Sequence, residues 1–417
     1  SFWTEDTSAV PKDASGSVGP YFDGLQLEPN PTSECLPEFR GDRSVLSDAP
    51  DGPFVEKGGV AQQLRRQASR RVLTLDSLTG GVRDVTVGDF GDNADIFNYV
   101  LGTHPGLKGG DLKVADLSGE SNENPSYIDN PLLSEPEAKP FEGRRPTIHG
   151  DIVHSRPLTM TYGAKPEGGS EFRVFYGTND GLYRAINPDD GREEWAFIAP
   201  EHQDAIGRLY ANTPSVDYFG LAPAQSEFID AQAKRYFFDG STGSFTRYND
   251  RSQLVEGYLY LTQRRGGRMV YALDVSPSDL ESGAPPETPG FLWRAGCTDD
   301  SDLSCTDEDL VGIGHTWSTP VTGFVRGYFG PGGSAAQPNP VLLMGGGSDP
   351  CLDQDKASLA LLECEKGKYI YVLDGKTGEV LRAFPTQAPV VADIEATDFD
   401  YDGSIDFAYA ADVAGHL

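Results

Sequence analysis

The feature that most constrains the fold is an internal repeat in the second half of the chain. From Gly150 onward, short apolar segments of strand length alternate with Asp-Gly and Asn-Asp-Gly turns, a pattern typical of antiparallel hairpins. Each repeat begins with an X-Pro step that leads into a first strand. An apolar second strand, a third strand ending in Asn or Asp, and a fourth strand with an aromatic residue follow. Four strands, a turn and a restart make one blade of a β-propeller.

Three complete repeats and the start of a fourth occupy residues 148–417, so we predict an all-β propeller of four-stranded blades that is incomplete in this chain. Because a propeller left open here would expose sheet edges, we expect polypeptide beyond Leu417, or another chain, to complete the ring. The X-Pro steps are Arg156-Pro157, Thr213-Pro214, Thr319-Pro320 and Ala388-Pro389. Second strands are predicted at 173–177, 235–239 and 341–345, third strands ending at Asn187, Asp274 and Asp374, and fourth strands at 194–198, 291–294 and 380–384.

Residues 1–147 differ from the repeats in composition, since they are rich in Pro, Asp, Glu and Ser and contain few apolar segments. We therefore predict an irregular, partly helical arm that packs on the propeller rather than a domain with a core of its own. One helix is predicted at 58–66 and a second at 95–102, where apolar residues have helical spacing and Gly102 ends the helix. Residues 103–147 are predicted to be a linker.

The charge of the chain excludes some classes of partner. With 64 acidic and 34 basic residues, its formal net charge is −30. Broad nucleic-acid binding needs clustered Lys and Arg, so we expect no nucleic-acid partner. The charge instead favours divalent cations or cationic partners. No apolar run approaches the roughly 18 residues that a membrane-spanning helix needs.

The five cysteines predict an oxidising compartment. Cys297 and Cys305 flank one polar loop, and Cys351 and Cys364 flank another, which favours two short disulfides. Free buried thiols are the alternative. Cys35 is left over, and we expect its partner to lie outside this chain.

The strongest chemical motif is the nine-residue segment that begins at Asp398. Carboxylates stand at its first, third, fifth and ninth positions, around a glycine turn, and a hard cation such as Ca²⁺ prefers such oxygen ligands. The segment lies between two predicted strands, 390–396 and 405–411, and lacks the bidentate Glu of an EF-hand. We predict a hairpin-borne calcium site; an acidic turn without an ion is the alternative. Its predicted ligands are Asp398, Asp400, Asp402, the carbonyl of Ser404, and Asp406.

The remaining motifs have ordinary structural explanations. The tripeptide Arg40-Gly41-Asp42 is expected to be a surface turn, and the basic segment 65–71 the face of a helix. His149, His154 and His315 lack the spacing of a zinc site, so we expect them to form structural hydrogen bonds. No nucleophile motif or phosphate-binding loop is present, and we predict that the chain is not an enzyme.

Several segments together resemble the PilY/PilC-type tip-associated proteins of bacterial type IV pili. Residues 150–157 are similar to that family's entry into its first blade, and the likeness spans roughly residues 50–417. The other segments that carry it are 58–65, 95–102, 177–182, 194–198, 236–241, 315–321 and 398–406.

This resemblance implies a quinoprotein-like propeller in a calcium-binding pilus tip adhesin and assembly factor. Such a protein is exported through the periplasm to the cell surface, where its calcium loop regulates pilus extension and retraction. Minor pilins are the implied partners, together with a host or surface receptor whose identity stays open. The family's amino-terminal von Willebrand A-like region is not found here, so we expect a C-terminal part. A PQQ-type quinoprotein dehydrogenase and an integrin-like interaction propeller unrelated to pili remain alternatives.

Overall fold

The computed structural model describes residues 26–29, 37–40, 59–67, 69–76, 79–103, 148–165, 168–211, 216–217, 232–353 and 365–417. The chain divides into two compact units. Unit one comprises residues 1–70, 93–149 and 187–193, and unit two comprises 71–92, 150–186 and 194–417. The predicted domain boundary at residue 147 and the tripeptide Arg40-Gly41-Asp42 fall wholly or partly outside the described residues, so both stay predictions.

Unit one contains the two predicted helices, α1 (Gly59–Arg66) and α2 (Ala94–Val100), and both predictions are confirmed. The side chain of Asn93 caps α2 by accepting hydrogen bonds from the backbone amides of Asp95 and Ile96, at 3.0 and 3.2 Å. Gly102, just after the helix, has a φ of +91°, a left-handed conformation that glycine adopts at little cost. A hairpin of β1 (Gln26–Pro29) and β2 (Pro37–Arg40) also belongs to this unit.

A buried ion pair joins two distant segments of unit one. The guanidinium of Arg70 donates to both carboxylate oxygens of Glu193, at 2.6 and 3.0 Å, and to the carbonyl of Val100 at 3.0 Å. Both side chains are almost fully buried, so removing either partner would leave an uncompensated charge. In the described part of the chain, no helix is long and apolar enough to cross a membrane.

Unit two consists mainly of antiparallel sheets, as predicted. The first sheet has six strands in the order β4-β3-β8-β7-β6-β5, the second and third have four consecutive strands each, and a two-stranded hairpin follows. The first-sheet strands are β3 (Val72–Leu75), β4 (Val82–Asp84), β5 (Leu158–Ala164), β6 (Ser170–Gly177), β7 (Leu182–Ile186) and β8 (Glu193–Ile198). A short pair of strands, β9 (Val216–Asp217) and β10 (Gln232–Ala233), precedes the second sheet. The second-sheet strands are β11 (Thr242–Tyr248), β12 (Leu254–Thr262), β13 (Arg268–Asp274) and β14 (Gly290–Cys297). The third-sheet strands are β15 (Val321–Gly323), β16 (Val341–Gly345), β17 (Tyr369–Asp374) and β18 (Val380–Pro385), and the hairpin is β19 (Glu395–Thr397) and β20 (Phe407–Tyr409).

The sheets follow the up-and-down order of propeller blades. Strand β11 contacts β15, and β15 contacts β19. The first strands of the second sheet, the third sheet and the final hairpin therefore lie side by side. The all-β, blade-like architecture predicted from the repeat is therefore confirmed. A short helix, α3 (Ile206–Ala211), follows the first sheet.

Aromatic side chains fill the spaces between successive sheets. Between the first and second sheets, Phe197 and Tyr271 make an edge-to-face contact with ring centroids 5.5 Å apart. Between the second and third sheets, Tyr260 and Trp293 both donate hydrogen bonds to the carbonyl of Gly375, at 2.9 and 3.0 Å. The polar ends of these buried rings are therefore satisfied by the neighbouring sheet.

The disulfide between Cys297 and Cys305 is present, which confirms one of the two predicted pairs. Cys351 is also disulfide-bonded, whereas Cys364 lies outside the described residues, so their pairing stays a prediction.

The second strand predicted for the second blade, at 235–239, is wrong. Residues 235–239 are irregular, and the second sheet begins later, at β11 and β12. Phe237 and Phe238 are both fully buried, so their side chains do not alternate between two faces as strand residues do. The amide of Phe237 donates to the side chain of Asn179 at 3.2 Å instead of joining a ladder. The X-Pro step at Thr213-Pro214 lies outside the described residues.

The last two strands are shorter than predicted, because neighbouring residues use their backbone groups elsewhere. The amide of Val390 donates to the carbonyl of Gly367, and its carbonyl accepts from the amide of Gly347, both at 2.9 Å. Gly347 lies just after β16 of the third sheet, and Gly367 lies just before β17. The amide of Ile405 donates to the carbonyl of Phe324 at 2.7 Å. These groups therefore tie the hairpin's flanks to the third sheet and leave only three residues per strand for pairing.

We predict that His202 makes the stability of the protein depend on pH. Its ring is fully buried against Phe237 and Phe238, and burial lowers its pKa from 6.5 to about 4. Between these two values the unfolded chain binds a proton that the folded chain does not, so stability falls as pH falls. From pH 7 to pH 5, urea titrations should show that wild type loses about 2 kcal/mol more than His202→Leu. Equal losses in the two proteins would contradict this assignment.

Candidate metal centre

The predicted calcium segment forms the loop of the final hairpin. It connects β19 to β20, and the amide of Asp406 donates to the carbonyl of Thr397 at 3.0 Å, which closes the loop at its base. Within the loop, Tyr401 and Gly403 have φ values of +60° and +87°. These two left-handed residues turn the backbone sharply within the loop.

The loop brings three of the four predicted carboxylates together. Asp398, Asp400 and Asp406 each place one carboxylate oxygen within 4.8 Å of the other two. Backbone amides of the same loop hold these side chains in position. Asp398 accepts from Gly403 at 2.8 Å, and Asp406 accepts from the amide of Phe399 at 2.8 Å. The cluster is therefore set by the backbone turn rather than by chance rotamers.

Asp402, the fourth predicted carboxylate, is directed to a different partner. Its carboxylate forms an ion pair with Arg326 and accepts from the amide of Ser404 at 2.8 Å. The hydrogen bond from Arg326 lowers the pKa of Asp402, because it stabilises the charged form. The same guanidinium lies 3.7 Å from Asp400. Ser404 lies in the turn as predicted, and the role of its carbonyl as a ligand stays a prediction.

Arg326 was not predicted from the sequence. It follows the first strand of the third sheet and lies far along the chain from the loop, so no local spacing connects the two. Contacts around Ile405 explain how they meet. Its side chain packs with a small apolar cluster that includes Val341 and Leu343 of the third sheet. The third sheet therefore presents Arg326 to the loop.

The arrangement has the chemistry of a hard-cation site. Its donors are carboxylate oxygens on a short, exposed turn, and three of them are close enough to share one ion. Without a cation these charges repel each other, and Arg326 offsets part of that repulsion. The donor set thus fits Ca²⁺.

Of the three histidines in the sequence motifs, His154 forms a well-defined contact. Its Nδ1 is hydrogen-bonded to Asp239 at 2.6 Å, and the other oxygen of Asp239 accepts from Asn179 at 3.1 Å. This linkage between the first sheet and the segment entering the second is a structural role, as expected. The three histidines do not form a metal cluster among the described residues.

Comparison with known proteins connects this architecture to type IV pili. The chain is 29% identical over 296 residues to the type IV pilus biogenesis factor PilY1 of Pseudomonas aeruginosa strain UCBPP-PA14. It is 25% identical over 374 residues to PilY1 of strain PAO1. The predicted resemblance to PilY/PilC-type proteins is confirmed. These matches cover 66% and 84% of this chain but 21% and 26% of the PilY1 sequences, so the chain spans about a quarter of the length of those relatives.

The structural comparison is weaker. The crystal structure of the P. aeruginosa PilY1 C-terminal domain matches 58% of this chain and 36% of that chain, with 19% identity and a TM-score of 0.33. A TM-score of this size carries no inference about function. No protein-family model matches the chain.

We predict that Arg326→Gln raises the pKa of Asp402 toward its ordinary value, because the variant removes the hydrogen bond that stabilises the carboxylate. Carboxyl-carbon NMR titrations of both proteins, without added metal, would measure the shift. Arg251→Gln, which removes the same charge from an exposed turn in the second sheet, should leave Asp402 unchanged. An unchanged titration of Asp402 in Arg326→Gln would show that the ion pair does not form.

Proposed function

We propose that this chain is the propeller part of a type IV pilus biogenesis factor that acts at the pilus tip on the cell surface. The support is its similarity to two PilY1 sequences, each named a type IV pilus biogenesis factor. Minor pilins are the proposed partners, and a host or surface receptor would be the target of adhesion. The disulfide between Cys297 and Cys305 agrees with a protein that is exported to an oxidising compartment.

We further propose that the loop from Asp398 to Asp406 binds one Ca²⁺. The observation that carries this step is the cluster of three carboxylate oxygens within 4.8 Å of each other. A bound ion would replace mutual repulsion with shared attraction, and Asp402 would join the ligands by leaving Arg326.

The location of the loop suggests how calcium would regulate the protein. The hairpin that carries it is short, and its flanks are bonded to the third sheet through Val390 and Ile405. Ordering of the loop by an ion would therefore stabilise the attachment of the hairpin to that sheet. Such an element has two states that differ in calcium content, which is what a regulator of pilus extension and retraction requires.

We expect Asp400→Asn to weaken calcium binding by at least about tenfold, because one ligand charge is lost while the amide oxygen can still accept from the amide of Asp402. Isothermal titration calorimetry of the two proteins tests this. Tyr401→Phe is the matched control: this side chain is 91% exposed, and the variant should bind as wild type does. If the Asp400→Asn protein binds calcium as tightly as wild type, the site is assigned wrongly.

In the bacterium that makes this protein, we expect deletion of the gene to reduce surface pili. Restoring the full-length gene with Asp400→Asn should restore pilus assembly but alter the balance of extension and retraction. Counting pili by electron microscopy and measuring twitching motility would separate the two effects, and Arg251→Gln serves as control. Normal pili and motility after deletion would contradict a role in pilus biogenesis, whatever the loop binds.

A further inference from the structure

A second cluster, away from the calcium loop, combines stacked arginines with a tryptophan. The guanidinium carbon of Arg264 lies 4.0 Å from the centre of a Trp317 ring, and that of Arg265 lies 4.8 Å from it. Both arginines belong to the short turn between β12 and β13, and Trp317 lies just before the third sheet. A cation over an indole is an attractive contact, which holds Arg264 against Trp317.

Three buried polar atoms of this cluster and of the adjacent Ser318 have no hydrogen-bond partner among the described residues. They are Nε of Arg264, Nε1 of Trp317 and Oγ of Ser318, and Ser318 is fully buried. Leaving a buried donor unsatisfied is costly, and more so when the group is charged. Buried polar groups of native proteins nearly always have a hydrogen-bond partner, so these donors are suited to an acceptor from outside the chain.

Three arginines and two carboxylates lie around the cluster. Burial lowers the pKa of Arg264 most; among the nearby charges, Asp239 acts most strongly and raises this pKa, whereas Arg265 and Arg156 lower it. Of the two nearby carboxylates, Asp239 is hydrogen-bonded to His154, and Asp393 accepts from the amide of Thr319 at 2.7 Å. Asp393 also lies 3.9 Å from Arg156 as its ion-pair partner, and neither carboxylate is hydrogen-bonded to Nε of Arg264. Three arginines are thus concentrated at one place in a chain of net charge −30.

The chemistry of the unsatisfied atoms narrows the ligand further. Arginine and the indole of tryptophan can only donate hydrogen bonds, and serine can donate one. A ligand that satisfies them must supply acceptors, and the surrounding positive charge selects a negative one. The N–H groups of a guanidinium suit the oxygens of a carboxylate or phosphate.

We propose that Arg264, Arg265, Trp317 and Ser318 form a binding site for an oxyanion group, either a carboxylate or a phosphate. A carboxylate would come from an acidic segment of a partner protein, and a phosphate from a free inorganic ion. The site is separate from the calcium loop and does not depend on the proposed role in pili.

Fluorescence of Trp317 provides a direct measurement. Trp195 and Trp293 are buried between sheets, whereas Trp3 lies outside the described residues. The variant Trp317→Phe therefore decides whether a change in emission belongs to Trp317. The full chain would be titrated with sodium phosphate, sodium acetate and the capped peptide acetyl-Glu-Glu-Glu-amide, with sodium chloride at matched ionic strength as the reference. We expect at least one of the three probes to change the emission saturably, and chloride to have no such effect. The change should be absent in Trp317→Phe.

Two variants test the role of Arg264 at different severity. Arg264→Gln removes the charge and should abolish saturable binding, whereas Arg264→Lys keeps the charge, loses the Nε donor and should weaken binding at least about tenfold. Circular dichroism would confirm that each variant is folded, and Arg251→Gln should bind as wild type does. Anions that are excluded from protein surfaces stabilise proteins in general. Because all variants are measured in the same solutions, this effect is common to them and cancels in the comparison.

The outcomes distinguish the sources of the anion and can reject the site. Tighter binding of the peptide than of acetate and phosphate would identify an acidic segment of a partner, and preference for phosphate would identify the free ion. Either result supports the proposal. It is overturned if none of the three probes changes the Trp317 emission, if chloride has the same effect, or if folded Arg264→Lys binds the probes with unchanged affinity.

Discussion

Direct contact between the backbones of successive sheets is the constraint on which the rest of unit two depends. Gly177 ends strand β6 of the first sheet, and Gly345 ends strand β16 of the third sheet. A Cβ atom on Gly177 would lie 1.9 Å from the carbonyl oxygen of Phe238, and one on Gly345 would lie 2.4 Å from that of Val390. No side chain fits at either position, so glycine allows the segment that enters the next blade to lie against the previous one.

This constraint explains the two irregular segments of unit two. Phe238 and Val390 occupy equivalent places in the repeat, immediately before the first strand of a following blade. Each has its backbone against a glycine of the preceding sheet and its side chain buried. Such a segment is apolar, like a strand, but its hydrogen bonds lead to the previous blade. The final hairpin, with its acidic loop, is thereby held beside Arg326 of the third sheet.

The sequence was sufficient to predict features whose determining residues are adjacent in the chain or repeat along it. The helix at Ala94–Val100 has its cap and its final glycine in adjacent positions, and the carboxylates from Asp398 to Asp406 share one turn. It was insufficient where the deciding partner is distant along the chain. Residues 235–239 have the composition of a strand, and only packing against the first sheet shows that they are not one. Arg326 and the unsatisfied atoms around Trp317 depend likewise on three-dimensional proximity.

The tryptophans also bear on the quinoprotein alternative. A quinone cofactor in a propeller needs an aromatic surface on which to stack. Of the three tryptophans in the described residues, Trp195 and Trp293 are buried within the sheet-to-sheet cores, at 2% and 5% exposure. Trp317 is only partly buried, but the guanidinium of Arg264 already lies over one of its rings at 4.0 Å. A cofactor on that face would have to displace a cation from an aromatic ring, whereas an oxyanion would bind at the edge of the guanidinium and leave the stack intact. The face of Trp317 that Arg264 covers is therefore better suited to the proposed anion than to a quinone.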